Sequence, residues 1–165
     1  MHSNYFISLD SSTTKFMKEK TIDYVLRATW QAVSRMYNEQ AQKYGATMAT
    51  GFALLSIDKE GTPSTALGPR MGMEATSLTR TLKSMEDKGL ITREPNPDDG
   101  RGVLIHLTDF GKEKRDLSKT TVRQFNEKVR ERVSKEQLAH FMEVAEVINE
   151  LILDKNIFND NEKNH

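Results

Sequence analysis

Residues 62–111 read TPSTALGPRMGMEATSLTRTLKSMEDKGLITREPNPDDGRGVLIHLTDFG, and the punctuation of this stretch decides the fold. Thr62-Pro63-Ser64 is a helix-start signal, a Thr cap with Pro at the first helical position. It predicts a short helix over 63–71, closed by Gly72. Pro69 lies late in that helix, where it removes a backbone donor and crowds the preceding turn, so a kink or an earlier end is expected. A second helix is predicted over 74–88. Leu78, Leu82 and Met85 form its inner stripe, and Gly89 stops it. Two extended segments follow, Leu90–Glu94 and Val103–Leu107, and in the latter Val103, Ile105 and Leu107 alternate with Leu104 and His106. Between them, residues 95–102 hold two prolines and two glycines. That composition describes an exposed turn, so a β-hairpin with a long tip is expected.

Short helix, tight turn, second helix and hairpin make a helix-turn-helix with a wing, whose second helix would enter the major groove of a duplex. The outer face of that helix carries Thr76, Thr79, Arg80 and Lys83, with Ser77 beside them. Hydroxyls can bond phosphates or base edges, and an Arg can grip guanine through two parallel hydrogen bonds. No acidic residue lies between Ala75 and Met85, so an anion can approach. Ser64, Thr65 and Arg70 of the preceding helix are candidate contacts as well. At the hairpin tip, Arg101 is long enough to enter a minor groove, with Asp99 placed to hold its guanidinium. Read singly, each cluster is equally consistent with a solvated helix face or a turn built for geometry.

Outside this centre the chain reads as helix. Over 15–44, Ile22, Val25, Leu26, Trp30, Val33, Met36, Tyr37 and Ala41 recur at three- and four-residue steps, ending at Gly45. At about thirty residues this is far longer than the mean of about 11–12. A helix from Met48 to about Lys59 carries Phe52, Leu54, Leu55 and Ile57, and Gly61 ends it. Thr108-Asp109 caps a helix over 110–133 with Leu117, Thr121, Phe125 and Val129 on its apolar side. Ser134 caps another over 135–154, striped by Leu138, Phe141, Met142, Ala145, Ile148, Leu151 and Ile152. Residues 1–14 read as a polar arm and 155–165 as a polar tail. The fold class expected is mainly α with a small β-hairpin wing.

With these spacings in view, residues 62–111 resemble the winged-helix core of the MarR (multiple antibiotic resistance regulator) family. Leu78-Thr79-Arg80-x-Leu82-x-x-Met85-Glu86-x-x-Gly89-Leu90-Ile91 is similar to the family's recognition-helix pattern. Asp99-x-Arg101, then Leu107-Thr108 and Gly111, is similar to its wing pattern. The resemblance implies a homodimer clasped through 15–45 and 110–154, holding two winged domains (46–109) against double-stranded DNA. It also implies a repressor of nearby genes on a pseudo-palindromic operator, the two recognition helices standing about 34–36 Å apart. The sequence departs from the family at Glu74, Gly68, Met71 and Pro69. Glu74 next to DNA would repel it, so this side chain is expected to turn away or to cap backbone amides.

The resemblance also implies an effector: many members of the family bind small anionic or aromatic molecules, which weakens their hold on DNA. The equivalent pocket here would be lined by Arg27, Trp30, Ser34, Met48, Phe52 and Arg115. Trp30 and Phe52 would offer flat walls and Arg27 a carboxylate partner; plain core is the alternative reading of both rings.

Composition bounds the rest. The 165 residues suffice for one real core. No cysteine is present, which excludes disulfides and thiol-based redox sensing in this chain. No apolar run approaches the roughly 20 residues of a membrane helix, and the N-terminus lacks a secretion pattern, so a cytoplasmic location without membrane contact is expected. His2, His106, His140 and His165 are scattered, so no metal or cofactor is expected, and no nucleophile or phosphate-loop motif points to an enzyme. Lys plus Arg and Asp plus Glu both number 24. A DNA-binding field must therefore be local. That balance, with Glu74, leaves open a winged helix that docks proteins; a small-molecule-binding helical protein would account for the aromatics but not for the wing.

Overall fold

The computed structural model describes residues 21–97, 99–154 and 157–158, with backbone alone at 99–101. The arm at 1–14, the first-helix residues 15–20 and most of the tail fall outside the described residues. The elements run α1 (Ile22–Gln42), α2 (Met48–Ser56), β1 (Thr62–Pro63), α3 (Ser64–Met71), α4 (Ala75–Asp87), β2 (Ile91–Asn96), β3 (Asp99–Leu107), α5 (Asp109–Arg130) and α6 (Lys135–Leu153). They form two compact units, Met1–Lys114 and Arg115–His165.

The first unit is built on one core. Ala53, Leu54 and Ile57 from α2 and its end meet Leu67 of α3, Leu78, Leu82 and Met85 of α4, and Leu90, Ile91 and Ile105 of the sheet. Met71, Val103 and Leu107 pack around them. The inner stripe expected on α4 and the alternation expected on β3 are thus both realised as core. The winged helix-turn-helix architecture stands: α3 and α4 are joined by a tight turn, and a sheet follows directly.

Three local expectations need correcting. Thr62-Pro63 does not open the third helix but forms a strand, pairing Thr62 with Ile105 and Pro63 with Leu104. The sheet is therefore three-stranded, in the order β1-β3-β2, not a lone hairpin. The reason lies in the Thr62 hydroxyl, which is buried and turned to Asp58. It accepts the Asp58 N–H at 2.8 Å and donates to the Asp58 carboxylate at 3.2 Å. With that hydroxyl occupied, α3 begins at Ser64 behind an extended Pro63 (φ −55°, ψ 131°).

Pro69 does not shorten α3, which continues to Met71. The helix ends in a Schellman arrangement, Met73 N–H donating to the Gly68 carbonyl at 3.0 Å and Gly72 N–H to that of Pro69 at 3.3 Å. A proline two residues from the end removes one ladder bond, from the carbonyl of Thr65, and Thr65 is exposed to water.

The hairpin tip is shorter than its composition implied. β2 runs on through Pro95 to Asn96, and β3 begins at Asp99. Pro95 is tolerated because β2 is an edge strand. The register shifts at this point, from Pro95↔Val103 to Asn96↔Asp99. One step on β2 thus matches four on β3, and Gly100-Arg101-Gly102 takes up the excess as an irregularity.

In the second unit α6 begins with a full capping box. The Ser134 hydroxyl accepts the Gln137 N–H at 3.0 Å, and the Gln137 side chain accepts the Ser134 N–H at 2.8 Å. Neither α1 nor α6 buries a residue.

Candidate nucleic-acid interface

The helix α4 separates its two faces cleanly. Leu78, Leu82 and Met85 are buried, while Thr76, Ser77, Thr79, Arg80 and Lys83 are all exposed. The structure therefore brings these five predicted residues to one surface. Their hydrogen-bonding capacity differs. Thr79 donates its hydroxyl proton to the Ala75 carbonyl at 2.8 Å, so toward a ligand it can only accept. Such a hydroxyl suits an adenine or cytosine amino group better than a phosphate. Thr76 and Arg80 have no internal partner among the described residues and keep all their donors. Lys83 approaches Asp87 only to 3.7 Å, with both side chains exposed. A pair of that kind is worth about 0–1 kcal/mol, so a phosphate can draw Lys83 away.

Glu74 occupies the N-cap position in extended backbone (φ −65°, ψ 145°) and makes no capping bond. Of the two alternatives expected for it, capping is not the one adopted. The first-turn amides of α4 stay open, which suits a negative group at that end.

On α3, Ser64 is half-buried and Thr65 exposed. Arg70 is engaged internally: one terminal nitrogen donates to the Asp58 carboxylate at 2.7 Å and to the Ser56 carbonyl at 3.0 Å. That guanidinium, with help from Thr62, holds the Asp58 carboxyl below the usual aspartate range. Arg70 thus ties α3 to the α2–β1 connection. The side chains of Asp99 and Arg101 lie outside the described residues; their backbone belongs to β3 at the tip of the wing.

The aromatic patch forms within the first unit. Trp30 of α1 stacks on Phe52 of α2 with ring centres 6.3 Å apart, and Tyr37 meets Phe52 edge-on at the same distance. Trp30 nevertheless remains 53% exposed, so the pair is an open wall and not sealed core. The Ser34 hydroxyl is buried without a hydrogen-bond partner among the described residues. Asn38 links the two helices, accepting the Met48 N–H at 2.9 Å and donating to the Ser34 carbonyl at 3.1 Å. Arg27 lies over the Tyr24 ring at 6.0 Å. Arg115 belongs to the second unit.

Contacts not foreseen from sequence cluster at the far end of α4. The Lys88 ammonium donates to the Gly45 carbonyl at 2.8 Å, and Arg93 of β2 pairs with Glu86 at 3.0 Å. The partners lie 43 and seven residues away across turns whose geometry a sequence does not display. Among the described residues no cluster of three or more metal-ligating side chains occurs, and no helix is long and apolar enough to cross a membrane.

Comparison with known proteins bears on this geometry. Residues 47–103 match the model of the MarR family. The organic hydroperoxide resistance transcriptional regulator of Bacillus subtilis is 33% identical over 94 residues, which cover 56% of this chain; the chain spans 64% of that relative's length. The HTH-type transcriptional regulator SarZ of Staphylococcus saprophyticus is 30% identical over 111 residues, covering 66% of this chain and 76% of SarZ. Among solved structures, the S. aureus MepR–DNA complex superposes with a TM-score of 0.73 at 17% identity, over 81% of this chain and all of MepR. That likeness establishes the fold.

Proposed function

Because this chain belongs to the MarR family, we propose that it is a homodimeric transcription regulator that binds duplex DNA through α4 and the wing. In this reading it represses nearby genes from a pseudo-palindromic operator and is released by a small anionic aromatic or acyl effector. The family and its curated relatives are regulators of transcription, not enzymes.

One observation carries the DNA reading: the exposed face of α4 offers Thr76, Ser77, Thr79, Arg80 and Lys83 with no acidic residue from Ala75 to Met85. With 24 basic and 24 acidic residues overall, attraction comes from this local surface and not from net charge. Arg80 reads guanine, Thr79 accepts from a base amino group, and Thr76 and Lys83 hold phosphates. Arg101 serves the adjacent minor groove. Arg70 supports the site from behind through Asp58.

Dimerisation is supported by the apolar side chains that α6 leaves exposed, Phe141, Met142, Val144, Val147, Leu151 and Ile152 among them. The effector reading rests on the half-open Trp30–Phe52 wall and the unpartnered Ser34 hydroxyl. The chain has no cysteine, so its signal is not thiol oxidation. Trp30 is the one tryptophan, and its fluorescence reports directly on that wall.

Footprinting on the DNA upstream of the gene, followed by gel-shift titration of Arg80→Ala and Arg101→Ala, tests the proposal. Both variants are expected to keep fold and dimer and to lose affinity, with binding falling steeply as salt rises. Equal affinity of the wild type and both variants for the footprinted fragment removes α4 and the wing from the interface.

A further inference from the structure

The two ends of α4 are held very differently. At its N-terminal end Glu74 makes no capping bond, and no ion pair reaches any residue from Ala75 to Thr81 among the described residues. The C-terminal end is fastened on three sides. Lys88 donates to the carbonyl of Gly45, just past the negative end of α1. Glu86 takes the guanidinium of Arg93, which stands opposite Ile105 and so rises from the core-facing side of the sheet. Thr108 donates its hydroxyl to the Gly89 carbonyl at 2.6 Å, and its N–H to that of Leu90 at 3.1 Å. Gly111 then lies so close to the Leu90 carbonyl that a methyl group in its place would collide with backbone.

Leu78 and Leu82 seat the middle of α4 in the core, but among the described residues its polar fastenings all lie at the C-terminal end, so that Thr76, Ser77, Thr79 and Arg80 stand N-terminal to them and Lys83 just before them. From Lys88 to Thr76 the axis measures about 18 Å, so a tilt of about 5° at the braced end moves Thr76 by between about one and two ångström. Hydrogen bonds to base edges do not survive such a displacement, whereas contacts of a long Lys with a phosphate do.

We propose that Glu86 and Lys88 are positioning residues of the DNA interface: Lys88 braces the recognition helix against the end of α1 and Glu86 braces it against the wing, and neither touches the duplex. The proposal rests on the DNA-binding reading above. It predicts a loss of sequence discrimination rather than of general affinity, because a tilted helix still presents its charges to any phosphate backbone.

The test uses the full chain. An operator duplex is selected from a random pool on the wild type, and affinities for it and for an unrelated duplex are measured across a range of salt. Lys88→Met and Glu86→Arg are expected to lower the ratio of the two affinities by about three- to tenfold, a small part of a typical specificity ratio, with the salt slope unchanged. Lys88→Arg, which keeps a donor, should hold near wild type. Glu86→Arg combined with Arg93→Glu should recover the ratio to within about twofold, since the pair is restored in reverse. Thermal unfolding checks each variant; if Glu86→Arg does not fold, Glu86→Gln takes its place. A ratio that stays at the wild-type value overturns the proposal, and so does failure of the charge swap. Equal losses on both duplexes with a salt slope lower by about one also overturn it, because Lys88 is then a phosphate contact. If the wild type enriches no duplex at all, the DNA reading itself fails, a result distinct from all of these.

Discussion

Helices α4 and α6 carry apolar stripes of equal legibility, and the structure treats them in opposite ways. On α4 the stripe of Leu78, Leu82 and Met85 is covered by α2, α3 and the sheet. On α6, Phe141 stays 60% exposed and Ile152 68%, and no residue of the helix is buried. A helical period reports that a face needs cover, but not which molecule supplies it. At about 25 cal/mol per Å² of apolar surface, the uncovered stripe is a substantial driving force for association. The comparison therefore separates residues that hold one subunit together from residues that would hold two.

The most damaging change on the covered side is Leu67→Ala. It empties a fully buried site between α2, α3 and α4 and should cost about 2–5 kcal/mol of stability in denaturant unfolding. A cost under about 1 kcal/mol would show that this core is not the one that stabilises the unit. On the uncovered side, Phe141→Ala should leave the circular dichroism spectrum unchanged while weakening self-association by about 2 kcal/mol or more, as sedimentation equilibrium would read. If the wild type sediments as a single subunit at all concentrations, the stripe on α6 has some other use. A third change probes the exposed face of α4. Arg80→Ala should reduce operator affinity by about 1–3 kcal/mol, concentrated at one base position, with stability unaffected.

The smallest effect concerns the strut behind that face. The Asp58 carboxyl is held below its ordinary range chiefly by the hydrogen bond from Arg70. A group whose folded pKa is depressed adds stability above its unfolded pKa and loses it as pH falls through the folded one. Melting temperatures of wild type and Asp58→Asn should therefore differ at neutral pH and converge below the normal aspartate range. The pair is exposed, so the difference at neutral pH should be the smallest of the four effects. A constant gap down to strongly acidic pH would mean that the charge of Asp58 plays no part.

Much of the fold was legible because its signals are local. Thr108 at the start of α5 and the Ser134 box at the start of α6 act on amides three residues away, within reach of any sequence reading. The spacing of Leu78, Leu82 and Met85 needs only the pitch of a helix. The Thr62 cap was misjudged, and the Arg70 pairing unforeseen, for one shared reason. Asp58 recruits both: the Thr62 hydroxyl turned to it is not free to cap α3, and Arg70 reaches it from twelve residues away. The wing tip was overestimated because Pro and Gly mark turns by composition, while an edge strand tolerates Pro95 where a central one would not.

The sequence by itself determined the order of helices and strands, their caps and their apolar faces, since each follows from steric and hydrogen-bonding rules that span a few residues. Tertiary structure alone decided which polar side chains remain available: it paired Arg70 with Asp58 at the surface, left Arg80 without a partner among the described residues, and joined Lys88 to a carbonyl 43 residues away. The physical reason is that a polar group's role depends on every acceptor and donor the fold brings near it, and that neighbourhood exists only once the chain has closed on itself.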